Sequence, residues 1–268
     1  MRQLIKYPGS KWSLSDWIIS FFPQHHSYTE PFFGSGAVLF NKAPSKIETI
    51  NDLDGEVVNL FECIKRDPEK LAFLVNLTPY AREIFDNAYK TKSEDPYEKA
   101  VNFITRCDMG HGFRTNGTTN GFKMDIQGRE NSYAVKHWNM LPDLIMECAA
   151  RLKQVQIENR PAINVIERFN YPNVLIYADP PYLLSTRHGG QYAKEMTDRD
   201  HEELLETLKA HKGPVILSGY HSKLYDDILR DWHVEEHDSR NQKNREKKEV
   251  LWMNFEPIPQ ITINDLIK

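Results

Sequence analysis

The tetrapeptide Asp179-Pro180-Pro181-Tyr182 combines a carboxylate, fixed carbonyl groups and a flat ring. It follows the apolar run Val174–Ala178, which predicts a strand buried on both faces of a parallel sheet. A carboxylate at the carboxyl end of such a strand lies where open α/β sheets bind ligands. The prolines remove two amide donors and hold the following ring in a set direction, so the group suits a planar base with an amino group. A rigid turn at the end of a strand is the alternative interpretation.

A glycine-rich turn offers a second binding element. Positions 30–36 read Glu-Pro-Phe-Phe-Gly-Ser-Gly and lead into an apolar helix start. Gly34 and Gly36 let the backbone approach a ligand closely, and the helix start presents free amide donors. Asp52 follows the predicted strand Ile47–Asn51, at about the spacing where an acidic residue can bond ribose hydroxyls. The full dinucleotide fingerprint is absent, and an ordinary tight turn is the alternative.

The third segment, at positions 6–12, reads Lys-Tyr-Pro-Gly-Ser-Lys-Trp and alone is typical of a solvated basic N-terminus with a proline turn. Together the three segments resemble the Dam-type, or alpha-group, family of adenine-specific DNA methyltransferases. The family pattern has an aromatic-to-lysine segment, here 7–11, and then a Pro-Phe-x-Gly-Ser-Gly segment, here 31–36. An acidic residue at 52 and the DPPY tetrapeptide at 179–182 follow in the same order. The resemblance covers about 1–60 and 150–230 of the chain.

The resemblance implies that S-adenosylmethionine is the cofactor and that no metal is required. The residues that it assigns to cofactor binding are Tyr7, Lys11, Glu30, Pro31, Phe32, Gly34, Ser35, Gly36, Asp52, Glu158, Asn159 and Asp179. Among these, Asp52 is expected to take the ribose hydroxyls. Glu158 or Asn159 is expected to reach the adenine ring of the cofactor.

The resemblance further implies methyl transfer to the amino group of a flipped-out adenine in double-stranded DNA. The catalytic residues that it implies are Asp179, Pro180, Pro181 and Tyr182. The adenine amino nitrogen is a poor nucleophile because its lone pair is delocalised into the ring. Hydrogen bonds from its protons to Asp179 and to the Pro180 carbonyl favour a pyramidal nitrogen and stabilise the positive charge that develops there. Tyr182 is expected to stack on the base, which leaves the duplex at a cost of roughly a few kcal/mol.

The expected DNA contacts lie in an insertion and in a polar loop. Two Asn-Gly pairs within 116–121 predict a mobile or hairpin-like loop at 110–121. Arg and Asn side chains can bond guanine and adenine edges bidentately. The residues expected to contact DNA are Arg114, Asn116, Lys123, Arg187 and Tyr192, with Arg129 and Lys136 as further basic residues of the insertion. The recognition segment of the GATC-specific enzymes is not recognisable, so that specificity is not carried over.

Two other polar segments border the predicted site. The stretch 183–196, with its Gly-Gly pair at 189–190, is expected to form a lid over the flipped base. The run 240–248 holds five basic residues against one Glu. Such a run is typical of a solvated surface loop, and it also suits phosphate contacts.

The elements that must position these residues alternate between strands and helices at both ends of the chain. Short strands are predicted at 155–157 and 214–218, and Thr197 with Asp200 has capping-box spacing at a helix start. This alternation predicts an α/β protein with a parallel, doubly wound sheet. The resemblance implies a Rossmann-like S-adenosylmethionine-dependent methyltransferase fold with an inserted, mainly helical target-recognition subdomain. We therefore expect a catalytic core at 1–65 and 151–268 and the recognition subdomain at 66–150.

Composition limits the class of protein. The chain has 268 residues, of which 40% are hydrophobic and 27% charged, as in a soluble globular protein that folds without metal or disulfides. Its three cysteines are far apart and no apolar run approaches ~18 residues. We therefore expect a cytoplasmic protein, and the resemblance implies that a bacterium or a phage encodes it. The net charge of −4 argues against a protein that coats nucleic acid, but it is compatible with a local basic groove.

Two alternatives keep the same fold. One is methylation of RNA or of a protein amide, although related enzymes with those substrates usually carry Asn in place of Asp179. The other is a non-catalytic DNA-binding relative, against which the complete set of motif residues argues. A metalloenzyme is not favoured, because the ten histidines form no HExxH or Cys/His ligand spacing. Any restriction endonuclease that works with this protein is expected to be a separate chain.

Overall fold

A computed structural model describes residues 1–124, 133–186, 190, 192–240 and 246–257. The strands in these ranges are β1 (Ser27–Glu30), β2 (Ile47–Asn51), β3 (Val155–Glu158), β4 (Val174–Ala178), β5 (Val215–Gly219), β6 (His233–Arg240) and β7 (Glu246–Met253). They form one sheet in the order β3-β2-β1-β4-β5-β7-β6. Strands β1 to β5 are parallel, whereas β7 runs antiparallel between β5 and β6.

The side chains of β4 alternate between two hydrophobic cores, one on each face of the sheet. Leu175 and Tyr177 belong to the larger core, whereas Val174, Ile176 and Ala178 belong to the smaller one. All five are buried. A strand that is covered on both faces has no polar positions to alternate with apolar ones. This explains the continuous apolar run, and the predicted bounds of β4 are confirmed.

Helices cover both faces of this sheet. Within the described residues they are α1 (Ser15–Ser20), α2 (Ala37–Asn41), α3 (Gly55–Arg66), α4 (Pro68–Leu77), α5 (Arg82–Lys90), α6 (Pro96–Met109), α7 (Tyr133–Leu152), α8 (Ala162–Arg168), α9 (Asp198–Lys209) and α10 (Lys223–Ile228). Helix α9 begins with the predicted capping box, in which Thr197 and Asp200 each accept a hydrogen bond from the other's backbone amide. The mixed α/β architecture agrees with the Rossmann-like methyltransferase fold that the resemblance implies.

Helices α4 to α7 follow α3 in the long connection between β2 and β3, and they share the larger core with the sheet. Between α6 and α7 the chain folds back in a hairpin-like loop. Gly110 bridges Phe122, the His111 amide donates to the Gly121 carbonyl at 2.8 Å, and the Lys123 amide donates to the Met109 carbonyl at 2.7 Å. The hairpin-like form therefore agrees with the two Asn-Gly turn signals. The division of the chain at 66–150 stays a prediction.

The hairpin-like loop is not the last part of the insertion, because the 20-residue helix α7 follows it. Its buried residues Trp138, Leu141, Ile145 and Cys148 recur at helical spacing and pack in the larger core. The signal was present in the sequence. Pro142 lies inside the helix and is a residue that usually argues against one.

The alternation of strands and helices had predicted a parallel sheet, but part of the sheet is antiparallel. Strands β6 and β7 pair as an antiparallel hairpin at its edge. The basic run 240–248 is consequently not a single loop, since Arg240 ends β6 and Glu246 begins β7. The Lys248 ammonium donates to the Glu236 carboxylate on the neighbouring strand at 2.6 Å. The positive charge of Lys248 is therefore paired in an exposed cross-strand ion pair. Residues 241–245 lie outside the described ranges.

No helix in the described part of the chain is long and apolar enough to cross a membrane. In the same residues, no group of three or more His, Cys, Asp or Glu side chains is arranged to hold a metal ion. Cys63, Cys107 and Cys148 are all buried free thiols.

Candidate active site

The candidate site lies where the order of the strands reverses. The chain passes from β1 outward to β2 and β3, and it then returns to place β4 on the other side of β1. The carboxyl ends of β1 and β4 diverge into loops at this point, and such a crevice is where open α/β sheets bind ligands. Glu30 ends β1, and Asp179 directly follows β4. A cavity of about 290 Å³ opens between them.

The cavity collects residues from the three segments that the sequence had linked. Of the expected cofactor-binding residues, those in its wall are Tyr7, Lys11, Glu30, Pro31, Phe32, Gly34, Ser35, Asp52 and Asp179. Pro181 of the tetrapeptide lines it as well. Segments that are remote in the sequence therefore meet at one site, as the resemblance implied.

Lys11 and Asp179 form the central contact of this site. The Lys11 ammonium donates to both carboxylate oxygens of Asp179 at 2.7 Å and to the Gly9 carbonyl at 2.9 Å. The Lys11 side chain is 5% exposed and that of Asp179 is 17% exposed, so water screens the pair weakly. The geometry thus fixes the carboxylate, which still lines the cavity.

The pKa values of the pair follow from burial and mutual attraction. Burial raises the pKa of Asp179 to about 6, the charge of Lys11 opposes this rise, and that of Glu249 adds to it. Burial opposes the protonation of Lys11, but the carboxylates of Asp179 and Glu249 outweigh it and raise the pKa of the ammonium. At neutral pH the pair is therefore an ionised carboxylate and a cation.

Tyr182 is held from three sides. Its hydroxyl donates to the Oε1 of Glu249 on β7, and its ring meets the ring of Tyr220 edge-on at 4.5 Å. The Lys11 ammonium lies 4.7 Å from the Tyr182 ring centroid. The sequence interpretation missed Glu249, Tyr220 and Ser218, whose hydroxyl donates to the same Glu249 oxygen at 2.8 Å.

The glycine-rich turn and Asp52 form one unit. One oxygen of Asp52 accepts from the Gly34 amide at 2.8 Å and the other from the Asp54 amide at 2.9 Å. Burial raises the pKa of Asp52 to about 6, although these two hydrogen bonds favour the charged form. Gly36 lies behind the turn rather than in the cavity wall, with φ +69°, and a Cβ there would lie 2.4 Å from Phe33. Its role is thus to shape the turn.

Glu30 is a second buried carboxyl in the wall. It is 2% exposed, and the Tyr28 hydroxyl donates to its Oε2 at 2.8 Å. Burial raises the pKa of Glu30 to about 8, and the hydrogen bond from Tyr28 opposes the rise only in part. Glu30 is therefore mostly protonated at neutral pH and adds little negative charge to the cavity.

Glu158 and Asn159 are placed differently from the prediction. Glu158 pairs with Arg160 at 3.1 Å, and the Asn159 amide donates to the Asp52 carbonyl at 2.7 Å. Neither is in the cavity wall, which is completed on this side by residues 161–163 at the start of α8. Apart from their position after a strand, no pattern in the sequence marks these apolar residues as part of a binding site.

The hairpin-like loop and the segment 192–196 close the cavity from above. The Thr115 hydroxyl accepts from the Ala193 amide at 2.7 Å, and the Asn116 amide donates to the Gly190 carbonyl at 2.9 Å. The Tyr192 hydroxyl donates to the Pro8 carbonyl at 3.2 Å, so Tyr192 lies in the cavity wall rather than on an outer surface. The described part of the predicted lid thus contacts both the insertion and the N-terminal segment.

The remaining residues predicted to bind DNA differ in their surroundings. Arg114 and Asn116 are exposed near the mouth of the cavity, on the same loop as Thr115. The Lys123 ammonium donates to the Asp108 carbonyl at 2.9 Å, and burial lowers its pKa to about 8, so its position does not favour a phosphate contact. Lys136 is exposed on α7. Arg129 and Arg187 lie outside the described residues.

Comparison with known proteins identifies one family. The model of the D12 class N6 adenine-specific DNA methyltransferases matches residues 7–244. The type II methyltransferase M1.LlaDCHI of Lactococcus lactis subsp. cremoris is 26% identical over 261 residues, which cover 87% of this chain and 86% of the relative. The DNA N-6-adenine-methyltransferase of Escherichia phage P1 is 28% identical over 75 residues, 28% of this chain and 10% of that protein.

Proposed function

Because this chain belongs to the D12 class N6 adenine-specific DNA methyltransferase family, we propose that Asp179 is the residue at its reacting centre. The substrate is an adenine flipped out of double-stranded DNA, and the methyl donor is S-adenosylmethionine. One observation carries this assignment. The ionised Asp179 carboxylate, fixed by Lys11, shares one cavity with Asp52 and with the glycine-rich turn.

The residues of the cavity fit S-adenosylmethionine in chemical character. The carboxylate of Asp52 suits ribose hydroxyls, and the apolar side chains of Phe32, Ile163 and Met196 suit a purine ring. The nearby carboxylates complement a sulfonium charge. When bound, S-adenosylmethionine would supply an electrophilic methyl group, since its S–CH3 bond breaks and the neutral thioether S-adenosylhomocysteine is the leaving group.

Asp179 orients the nucleophile and later takes its proton. The Asp179 carboxylate lines the cavity and has lone pairs beyond those that accept from Lys11. It accepts a hydrogen bond from the adenine amino group, which draws the nitrogen towards pyramidal geometry and exposes the lone pair. When that nitrogen gains the methyl group, its N–H becomes acidic and the proton passes to Asp179. A pKa of about 6 keeps the carboxylate ionised beforehand and still lets it accept the proton. Lys11 holds the carboxylate in place throughout.

The hairpin-like loop at 110–122 is the proposed reader of the DNA sequence. Arg114 and Asn116 have the side chains that bond guanine and adenine edges, and both are exposed at the cavity mouth. The contact of Asn116 with Gly190 ties this loop to the segment above the cavity. A flipped base would enter between the loop and Tyr182. The type II naming of the Lactococcus lactis relative also favours a separately encoded restriction endonuclease as a companion of this enzyme.

Methyl transfer to different acceptors tests the proposal. The protein is incubated with radiolabelled S-adenosylmethionine and either unmethylated plasmid DNA, total RNA or a protein extract. We expect label in DNA alone and N6-methyl-2′-deoxyadenosine after digestion to nucleosides, with cofactor binding weakened in Asp52→Ala. Label in RNA or protein instead of DNA, or binding of cofactor with no transfer to any acceptor, would reject it.

A further inference from the structure

Glu249 is a buried carboxylate at the same edge of the sheet as Asp179. It lies on β7, just before Val250, which pairs with Gly219 at the end of β5. Because β7 is antiparallel to β5, Glu249 extends past the carboxyl end of β5. Its residue exposure is 3%. The antiparallel insertion of β7 therefore delivers a carboxylate to the candidate active site from a distant part of the chain.

The strand itself gives no packing reason for a carboxylate at this position. Side chains alternate along β7, so Glu249 shares its face with Leu251 and Met253. Both of these pack in the larger hydrophobic core. Burying a carboxylate costs several kcal/mol unless its partners compensate, so an apolar residue would serve packing better. The reason for a carboxylate at position 249 therefore has to be sought in its contacts within the candidate active site.

The contacts of Glu249 provide that explanation. Its Oε1 accepts from the hydroxyls of Tyr182 and of Ser218, and it lies 3.6 Å from the Lys11 ammonium. Tyr182 is the ring proposed to stack on the flipped adenine. An anchored hydroxyl fixes the direction of that ring before the base arrives, which lowers the ordering cost of binding.

The charge of Glu249 has a second effect. The single positive charge of Lys11 lies between two carboxylates, at 2.7 Å from Asp179 and 3.6 Å from Glu249. With all three groups ionised, one net negative charge remains beside the position where the amino nitrogen becomes positive. Fixed charge that complements the developing charge stabilises the transition state.

We propose that Glu249 is a positioning residue for methyl transfer, which anchors the Tyr182 ring and shares the Lys11 charge with Asp179. This inference rests on the proposed function of Asp179 and Tyr182. Glu249 acts through these neighbours and does not touch the reacting atoms. Its loss should therefore slow the chemical step while leaving cofactor binding in place.

The test compares Glu249→Ala with Glu249→Gln, which keeps an acceptor oxygen but removes the charge. Single-turnover methylation of plasmid DNA gives the rate, and equilibrium binding gives the Kd for S-adenosylmethionine. We expect Glu249→Ala to slow transfer about ten-fold or more, as loss of a hydrogen bond to a charged group does, with the Kd changed less than about two-fold. Glu249→Gln should recover part of this loss. Glu236→Gln, on the outer strand of the same hairpin, is the matched control and should keep the wild-type rate.

A double-mutant cycle with Tyr182→Phe separates positioning from general damage. If Glu249 acts through the Tyr182 hydroxyl, the double variant should be no slower than Glu249→Ala alone. A wild-type rate in Glu249→Ala, or losses that multiply in the double variant, would overturn the inference. If Glu249→Ala does not fold, the same cycle is measured with Glu249→Gln and Tyr182→Phe, and multiplied losses in that double variant would likewise overturn the inference. Asp179→Ala is measured in parallel. Methylation by Asp179→Ala would reject the proposed function itself. An inactive Asp179→Ala together with a wild-type rate in Glu249→Ala would reject only the inference about Glu249.

Discussion

The Lys11 ammonium lies 2.7 Å from both carboxylate oxygens of Asp179, although 168 positions separate the two residues. This contact joins the N-terminal segment to the tetrapeptide after β4. It also holds the carboxylate in its ionised form in a place where burial alone would favour the neutral form.

Lys11→Met should shift the pH dependence of methyl transfer. Asp179 has a pKa of about 6, so wild-type activity should fall as the pH drops through that value. Without the nearby cation the pKa of Asp179 rises, because burial and the charge of Glu249 then lose their main opposition. At pH 7 we expect about a ten-fold loss or more, with partial recovery at higher pH. Lys42→Met, which breaks a buried ion pair with Glu48 away from the cavity wall, is the control for stability. An unchanged pH profile in Lys11→Met would contradict the assignment.

Glu30→Gln should stabilise the protein, and the gain should depend on pH. The folded-state pKa of Glu30 is about 8, above its ordinary value of 4.5. Its contribution to the free energy of unfolding is therefore fully present below 4.5 and is lost as the pH rises towards 8. Gln keeps an acceptor for the Tyr28 hydroxyl but cannot ionise. Denaturant unfolding without cofactor should show a small difference at pH 5 and a larger one at pH 8. Equal differences at both values would show that burial of Glu30 is not the cause.

Gly36→Ala should destabilise the protein more than Gly117→Ala. Both glycines have a positive φ, +69° at Gly36 and +80° at Gly117. A Cβ at Gly36 would lie 2.4 Å from the Phe33 ring, whereas a Cβ at Gly117 would have no neighbour within 4 Å. Backbone strain alone costs about 1 to 2 kcal/mol, and overpacking adds about 1 to 3 kcal/mol. The difference between the two variants in the free energy of unfolding isolates the steric part. Similar losses of unfolding free energy in the two variants would mean that the close contact with Phe33 does not destabilise Gly36→Ala.

Arg114→Ala should weaken DNA binding and leave the cofactor Kd unchanged. A side chain that reads a base edge contributes about 1 to 3 kcal/mol, so affinity should fall about ten-fold or more, with altered preference at one base pair. A phosphate contact would instead lower affinity for all sequences and reduce the salt dependence. Arg168→Ala, at the exposed end of α8, is the matched control. Wild-type affinity and sequence preference in Arg114→Ala would remove this loop residue from the DNA interface.

Local sequence patterns were sufficient to predict the residues at the centre of the site. Strands β2 and β4 and the capping box before α9 are found at the predicted residues, because each is specified by its own neighbours. Asp179, Asp52 and Gly34 meet because parallel strands bring their carboxyl ends to one edge. The tetrapeptide and the turn could therefore be assigned to one site before their contacts were known.

Glu249 could not be found in this way. It follows the charged residues Glu246, Lys247 and Lys248, so locally it has the pattern of a solvated strand start. Only the pairing of β7 with β5 turns its side chain towards Lys11. The cavity wall formed by Ala162 and Ile163 is a similar case, because apolar residues after a strand carry no signal for a ligand. Such long-range contacts depend on the assembled sheet.

The central claim is that Asp179, held by Lys11, is where the methyl group is transferred, and the most direct test is Asp179→Ala. Transfer from radiolabelled S-adenosylmethionine to unmethylated plasmid DNA is measured for both proteins, together with cofactor binding and the nucleoside product. We predict N6-methyl-2′-deoxyadenosine from the wild type, and in the variant a loss of about 100-fold or more with the cofactor still bound. Methylation of DNA by Asp179→Ala at close to the wild-type rate would contradict the account.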